Sequence, residues 1–469
     1  MEVLDCPGCR ARDALIAEMR RQIESLLRRV AELEARLKAN STNSSLPPSA
    51  NPLTAPPPPR KKKSKRRRGG QPGHPPHLRQ LLPADRVTRV ESIVPATCDA
   101  CRARLPRRAG PNDPEPKRFQ SVELPEIAVE VVEYQAHART CPRCQQVTQA
   151  AIPAAIRAHS IGPRLTAAMS YFTGAHGLSK RDVEAIVETV FGVPVALGTV
   201  ANLEGEVSAA LVPAHAEALE AVRRAEVKHA DETGWKKWGR LCWLWGAATA
   251  TAAVYVVHAQ RGTLGLAALL GEAIQGIVHS DRWHVYRQVP EERRQVCWAH
   301  LKRDFQGIVD RSGPGAFVGR RGLRVVRDLF AAWQAFRGGT IDRERLQALL
   351  AGVQRRLDRT LLQGAFGEDA RVASFCAHLI ELEGALWTFG RVEGVEPTNN
   401  FMERLMRRAV LWRRRSFGCN SEAGCRFVER ILTVVQTCRL NARNSLEYLA
   451  QAVAAQRRGD DCPRLLAEG

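Results

Sequence analysis

The chain has 469 residues and a formal net charge of +21, from 70 Lys and Arg against 49 Asp and Glu. That length holds several domains, and the charge favours a polyanionic partner, nucleic acid first, over a neutral or acidic one. Thirteen cysteines, several in Cys-x-x-Cys pairs, behind a polar rather than apolar first ten residues argue against an exported disulfide framework and for thiolate-bound metal in a reducing compartment.

In chain order, Ile16, Met19, Ile23, Leu26, Val30, Leu33 and Leu37 alternate spacings of three and four, which predicts a coiled-coil or amphipathic helix in residues 1–40. Residues 41–80 lose that period in Ser, Asn and Pro and read as a linker. Inside it Arg60, Lys61, Lys62, Lys63, Lys65, Arg66, Arg67 and Arg68 form a basic run suited to DNA phosphates without sequence preference. Residues 81–155 carry Cys98-x-x-Cys101 and Cys141-x-x-Cys144. Two thiolates from each turn complete a tetrahedral Zn²⁺ set in a zinc-ribbon-like domain, with the extended stretch Glu126 to Ala138 as the hairpin joining the knuckles. Cys6-x-x-Cys9 stands alone and is read as incidental thiols or an unshared site.

Residues 156–222 are helical: Ser179 caps a helix over Leu178 to Glu188, Phe191-Gly192-Val193 turns, and a second helix starts near Leu197. This is a helix-turn-helix signature, with DNA reading and plain packing both open because the second helix is not strongly basic. Residues 223–310 follow with strand-like segments at Glu226 to Thr233, Leu241 to Thr249 and Ala252 to Ala259, a helical stretch Thr263 to Ala273, and a strand Ile274 to Asp281. Leu241 to Gln260, the longest uncharged stretch, is broken by Gly246 and fits two strands and a turn, not a membrane span. Strand, strand, strand, helix, strand is the order of a ribonuclease-H-like core, in which the first and fourth strands are neighbours. Asp231 and Asp281 then lie side by side at one sheet edge, where carboxylates bind hard cations and leave positions for phosphate oxygens.

Residues 311–395, with helical patterning at Gly322 to Phe336 and Asp342 to Thr360, read as a helical insertion, and 396–469 return to the core. Glu403 opens a helix carrying Arg404, Arg407, Arg408, Arg413, Arg414 and Arg415, so arginines there neutralise the phosphates flanking a carboxylate that holds metal. Asn400-x-x-Glu403 also fits a capping box. Cys297 and His300 are half a metal site with no evident third ligand, or else pack near the catalytic sheet. The fold class is multidomain α+β: a mixed-sheet ribonuclease-H-like core with a helical insertion, preceded by a coiled-coil helix, a zinc-ribbon-like domain and a helix-turn-helix.

Asn43-Ser44-Ser45-Leu46-Pro47-Pro48-Ser49, Gly69-Gly70-Gln71-Pro72-Gly73-His74, Cys297-Trp298-Ala299-His300 and Asn399-Asn400-Phe401-Met402-Glu403-Arg404 occur in this order. With the zipper-like start, the cysteine pairs and the helix-turn-helix, the chain resembles transposases of insertion-sequence family 66 over nearly its whole length. The resemblance implies a DDE-type enzyme with Asp231, Asp281 and Glu403 as catalytic carboxylates, two Mg²⁺ or Mn²⁺ ions and one structural Zn²⁺. It also implies double-stranded DNA ends and target DNA as partners, homo-oligomers on DNA, accessory proteins of the same element, and a bacterial cytoplasmic, nucleoid-associated setting without membrane. Glu232 stands where many relatives have a second aspartate and is a competing ligand on the opposite face of the strand. The alternative readings are a non-catalytic DNA-binding relative and a nuclease that cleaves without joining.

Overall fold

The computed structural model describes residues 7–38, 40, 43, 79–108, 110, 111 and 113–467. The basic run Arg60 to Arg68, Gly69 to His74 and Cys6 lie outside them. Two compact units divide the chain, Pro57–Glu130 and Met1–Pro56 with Val131–Gly469.

Helix α1 (Pro7–Lys38) leaves its apolar stripe exposed from Ile16 to Leu37. In the smaller unit the first cysteine knuckle is closed by a Thr97–Arg104 bridge, and the Gln120 side chain brackets Leu82, accepting from its N–H at 2.8 Å and donating to its carbonyl at 3.0 Å. In the larger unit β1 (Ala138–Thr140) and β2 (Val147–Gln149) pair antiparallel around the second knuckle. The expected hairpin between the knuckles is therefore corrected: no strand precedes Ala138 in that stretch, and each Cys-x-x-Cys sits at the tip of its own turn.

Next come α2 (Ala154–Arg157), α3 (Pro163–His176), α4 (Lys180–Phe191), α5 (Leu197–Ala210) and α6 (Val212–Arg224). Ser179 caps α4 through the Asp182 N–H while the Asp182 carboxylate takes the Ser179 N–H, and Gly192 ends it at φ 67. Met169, Val183, Val187 and Val200 bury the seam among α3, α4 and α5.

The central sheet is built from β3 (Val227–Lys237), β4 (Arg240–Ala248), β5 (Ala253–His258), β6 (Ile277–Ser280) and β7 (Arg294–Val296), with α7 (Thr263–Leu270) between β5 and β6. Its order is β5-β4-β3-β6-β7; β3, β4 and β5 are antiparallel, and β6 and β7 run parallel to β3. Strands β3 and β6 are thus interior, not at a sheet edge as expected from sequence. Trp238 and Gly239, both at positive φ (54° and 71°), make the tight turn that lets β3 pair along its whole length, so Asp231 lies mid-strand instead of at a strand end.

Alternation sends Trp245 and Val254 to one face, against Val222, Leu266 and Leu269 of α6 and α7. Leu244 and Tyr255 face the other side, under α14 (Asn400–Ser416) and α15 (Glu422–Leu440), where Met402, Met406, Val428 and Leu432 cover them. Edge strand β5 is protected from pairing elsewhere because Glu429, Thr433 and Thr437, four residues apart on α15, accept the N–H groups of Val257, Tyr255 and Ala253 at 2.6, 3.0 and 3.0 Å. Helices α8 (Trp298–Arg311), α9 (Ala316–Arg337), α10 (Arg343–Ala365), α11 (Ala370–Glu381), α12 (Glu383–Leu386) and α13 (Thr388–Arg391) form one further core around Phe305, Leu329, Leu357 and Phe389. After α15, α16 (Ser445–Arg458) packs with α3 and α5. No helix of the described residues is long and apolar enough to cross a membrane.

Candidate active site

The parallel register pairs His229 with His279, whose rings stack at 3.9 Å. Two residues further along each path come Asp231 and Asp281, so neighbouring strands deliver both carboxylates to one level. Asp281 closes its own turn by accepting the Trp283 N–H at 2.9 Å. Buried Arg294 locks that turn from beneath, with Nε to Ser280 Oγ at 3.0 Å and Nη2 to the Asp281 carbonyl at 2.7 Å.

Directly across from Asp231 on β4 stands Gly246. A Cβ there would meet Met402 Cε at 2.4 Å and Met406 Sδ at 2.9 Å, so glycine lets these two α14 side chains lie directly on the sheet. Asn399, 1% exposed, fixes where α14 begins: its Nδ2 donates to the Ala230 carbonyl at 2.7 Å, its Oδ1 accepts from His229 Nδ1 at 3.0 Å, and its N–H donates to Cys297 Sγ at 3.1 Å. Burial holds His229 neutral, its pKa lowered to about 4, so its single Nδ1–H is committed to that bond. The capping box expected at Asn400 and Glu403 is not formed, because the N-cap is Asn399 and Asn400 is exposed. Sequence reading singled out Asn400 and missed Asn399; nothing in the spacing separates the two.

Glu403, on the first turn of α14, faces the aspartate pair. Burial raises the Asp231 pKa well above the ordinary carboxylate range, and Glu232, Asp281 and Glu403 push it further. Glu403 is raised by burial and by Asp281, against the pull of Arg303. Its Oε1 is buried without a hydrogen-bond partner. Buried, mutually repelling carboxylates at Asp231 and Glu403, offset only in part by Arg303, are the donor chemistry of a divalent-cation site. Glu232, expected as a competing ligand, is instead committed: Arg261 Nη2 donates to it at 2.7 Å and Tyr286 Oη at 2.9 Å, while Arg261 lies over the rings of Trp243 and Trp283.

Residues 159–426 match the family model described as the transposase IS66 family. The chain belongs to that family. The match takes in all three carboxylates and stops short of both cysteine knuckles, while residues 9–80 match a family of unknown function. Two uncharacterized proteins of Sinorhizobium fredii (strain NBRC 101917 / NGR234) are similar to this chain. One, y4qI, is 24% identical over 265 residues, 50% of this chain and 48% of that protein; the other, y4hP, is 23% identical over 418 residues, 79% of this chain and 72% of that protein. The chain therefore spans about half the length of the first.

The remaining expected site residues divide. Arg408 donates to the Ala175 carbonyl, Arg413 to Thr233 Oγ1 and the Gly234 carbonyl, and Arg415 to the His176 carbonyl, so these three brace α14 against its own protein. Arg404, Arg407 and Arg414 are exposed. Arg282, next to Asp281, lines a cleft of about 420 Å³ with Arg287, Arg371, His378 and Glu381, a largely basic surface that sequence reading missed because α11 contributes most of it. The knuckles share one local geometry. Cys98 and Cys141 each accept the N–H four residues on, from Arg102 and Gln145 at φ 60 and 59. Each thiol is held below its ordinary pKa by backbone N–H groups, from Cys101 then Ala100 and from Cys144 then Arg143. Cys297 and His300 do have a third partner, contrary to expectation: Glu403, which their ligand atoms approach so that all lie within 4.8 Å of one another.

Proposed function

We propose that this family member is a DDE-type transposase acting on a ribonuclease-H-like sheet, which binds the ends of its element, frees their 3′-hydroxyls and joins them to target DNA. The observation that carries the reading is the register of β3 against β6 with Glu403 electrostatically coupled to the pair it creates. Asp231, Asp281 and Glu403 would hold two Mg²⁺ or Mn²⁺ ions, which when bound activate the attacking hydroxyl and stabilise the leaving oxygen. Asn399 and Gly246 keep Glu403 beside the aspartates, and Arg294 keeps Asp281 in its turn. In each in-line displacement the attacking oxygen bonds to phosphorus as one P–O bond breaks, and no covalent protein intermediate is needed.

Arg404, Arg407 and Arg414 with the Arg282, Arg287 and Arg371 cleft supply phosphate contacts. Helix α5 has no Lys or Arg along Leu197–Ala210, so any base reading by α4 and α5 falls to Thr199 and Asn202 and leaves phosphate gripping to other elements. The exposed stripe of α1 supports pairing with a second copy, and each Cys-x-x-Cys turn by itself offers two thiols suited to thiolate-bound zinc. The test is Asp281→Asn and Glu403→Gln in the full chain: both bind end DNA and neither nicks nor joins it in Mg²⁺ or Mn²⁺. Joining that survives Asp281→Asn would sink the DDE assignment in favour of a non-catalytic role for the carboxylates.

A further inference from the structure

Where α8 and α14 begin, three ligand atoms converge that the reaction as proposed does not use together. Cys297 is the N-cap of α8, His300 lies one turn on, and Glu403 comes from the first turn of α14. We infer that Cys297, His300 and Glu403 bind a soft divalent cation, Zn²⁺ foremost, and that its binding withdraws Glu403 from Asp231 and Asp281 and stops strand transfer. The regulatory half of this rests on the function proposed above; the site itself does not.

The sulfur is built to be a ligand. It is fully buried, yet it accepts the backbone N–H of Asn399 at 3.1 Å, the kind of outer bond that holds a metal-bound thiolate. Without a cation, burial outweighs that bond and keeps the thiol protonated, its pKa up at about 12. Facing it, His300 Nδ1 and Glu403 Oε1 are both buried without hydrogen-bond partners, 3.5 Å apart. His300 is neutral, held down to about 3 by burial and by Arg303 and Arg282, so no strong ion pair joins the two. Two buried polar atoms side by side without hydrogen-bond partners cost free energy that a shared ion removes. A tetrahedral ion bonded at about 2.05 Å to N and O spaces them about 3.4 Å apart, close to what is seen.

Thiolate, imidazole and carboxylate form the donor set of zinc and not of magnesium, and three protein ligands leave a fourth position for water. The aspartate pair offers only oxygen and keeps its preference for hard ions. Glu403 belongs to both sets, so the soft ion competes with the reaction by drawing that one side chain toward Cys297 and His300.

The decisive variant is Cys297→Ser, because a serine oxygen still accepts the Asn399 N–H and preserves the helix junction while removing the thiolate. With the full chain and ZnCl₂ or CoCl₂ as probe, wild type should take up one more equivalent than Cys297→Ser, with a thiolate-to-cobalt absorption that the variant lacks. His300→Asn, checked for helix content, should lose the same equivalent. In Mg²⁺, micromolar Zn²⁺ should slow wild-type joining at least about tenfold and leave Cys297→Ser joining within about twofold. Equal metal uptake by wild type and both variants overturns the site. Equal zinc inhibition of wild type and Cys297→Ser overturns the withdrawal of Glu403. Wild type that joins nothing in Mg²⁺ refutes the transposase reading and the regulation with it, while the uptake difference still decides the site.

Discussion

Replacing Asn399 by Ala is the sharpest probe of how the active site is held together. The side chain is 1% exposed and makes two bonds, to the Ala230 carbonyl at 2.7 Å and from His229 at 3.0 Å. Removing it strands a buried carbonyl and a buried imidazole N–H, each worth about 1–3 kcal/mol, with the lower end favoured if water enters the space. About 2–4 kcal/mol in total corresponds to a thirty- to roughly thousandfold faster local opening of the α14 start. Global unfolding averages over several cores and dilutes a change at one helix start, so the readout is amide exchange at Glu403, whose N–H donates to the Asn399 carbonyl at 3.2 Å. Joining should fall on the order of 10²-fold, because about 1 Å of misplacement at a reacting centre costs that much, while end-DNA binding persists. Asn400→Ala, at the exposed neighbour, should change stability by no more than about 0.5 kcal/mol. Exchange and joining both within threefold of wild type in Asn399→Ala would refute the claim that this residue positions Glu403.

Three further outcomes are expected. Because Asp231 and Glu403 have raised folded-state pKa values, the metal-free protein binds their protons more tightly folded than unfolded and loses stability as pH rises from the ordinary carboxylate range through those values. Mg²⁺ should therefore raise the melting temperature more at pH 8 than at pH 6. His229, His279 and His300 act in the opposite sense, their contribution complete above the unfolded pKa of 6.5 and lost as pH falls toward about 3 to 4, so they contribute no slope above pH 7. A Mg²⁺ shift that shrinks with rising pH would contradict the carboxylate account. Cys141→Ser should release tightly bound zinc from the purified chain, measured by elemental analysis; unchanged zinc would remove the knuckle assignment. Deleting Arg60 to Arg68 should weaken binding to all duplexes alike and flatten its salt dependence, whereas a loss confined to cognate ends in a titration series would show that the run reads sequence.

The sequence by itself marked most elements of the central sheet and the helices that flank it, and their order. Alternation marked β3 to β5, the Ser179 cap and Gly192 turn bounded α4, helical patterning from Asp342 marked α10, and the basic pattern after Pro397 located α14, since each of these signals is local and repeats within a few residues. The parallel neighbourhood of β3 and β6 followed from strand order, because a helix crossover returns the chain to the same end of the sheet, whereas the register that aligns His229 with His279 did not. Tertiary structure alone decided which polar groups were free. Arg408, Arg413 and Arg415 look like phosphate ligands in sequence and turn out to be fastened to backbone carbonyls. Glu232 looks like a ligand and is held by Arg261 and Tyr286. Asn399 and Asn400 are indistinguishable until the helix start buries one and exposes the other. Cys297 and His300 lacked a third ligand because Glu403 lies more than a hundred residues away along the chain, across the helical segment, and only packing of the α8 and α14 starts brings it within reach. Long-range burial sets the hydrogen-bond partners and charges of such groups, and no local spacing carries that information.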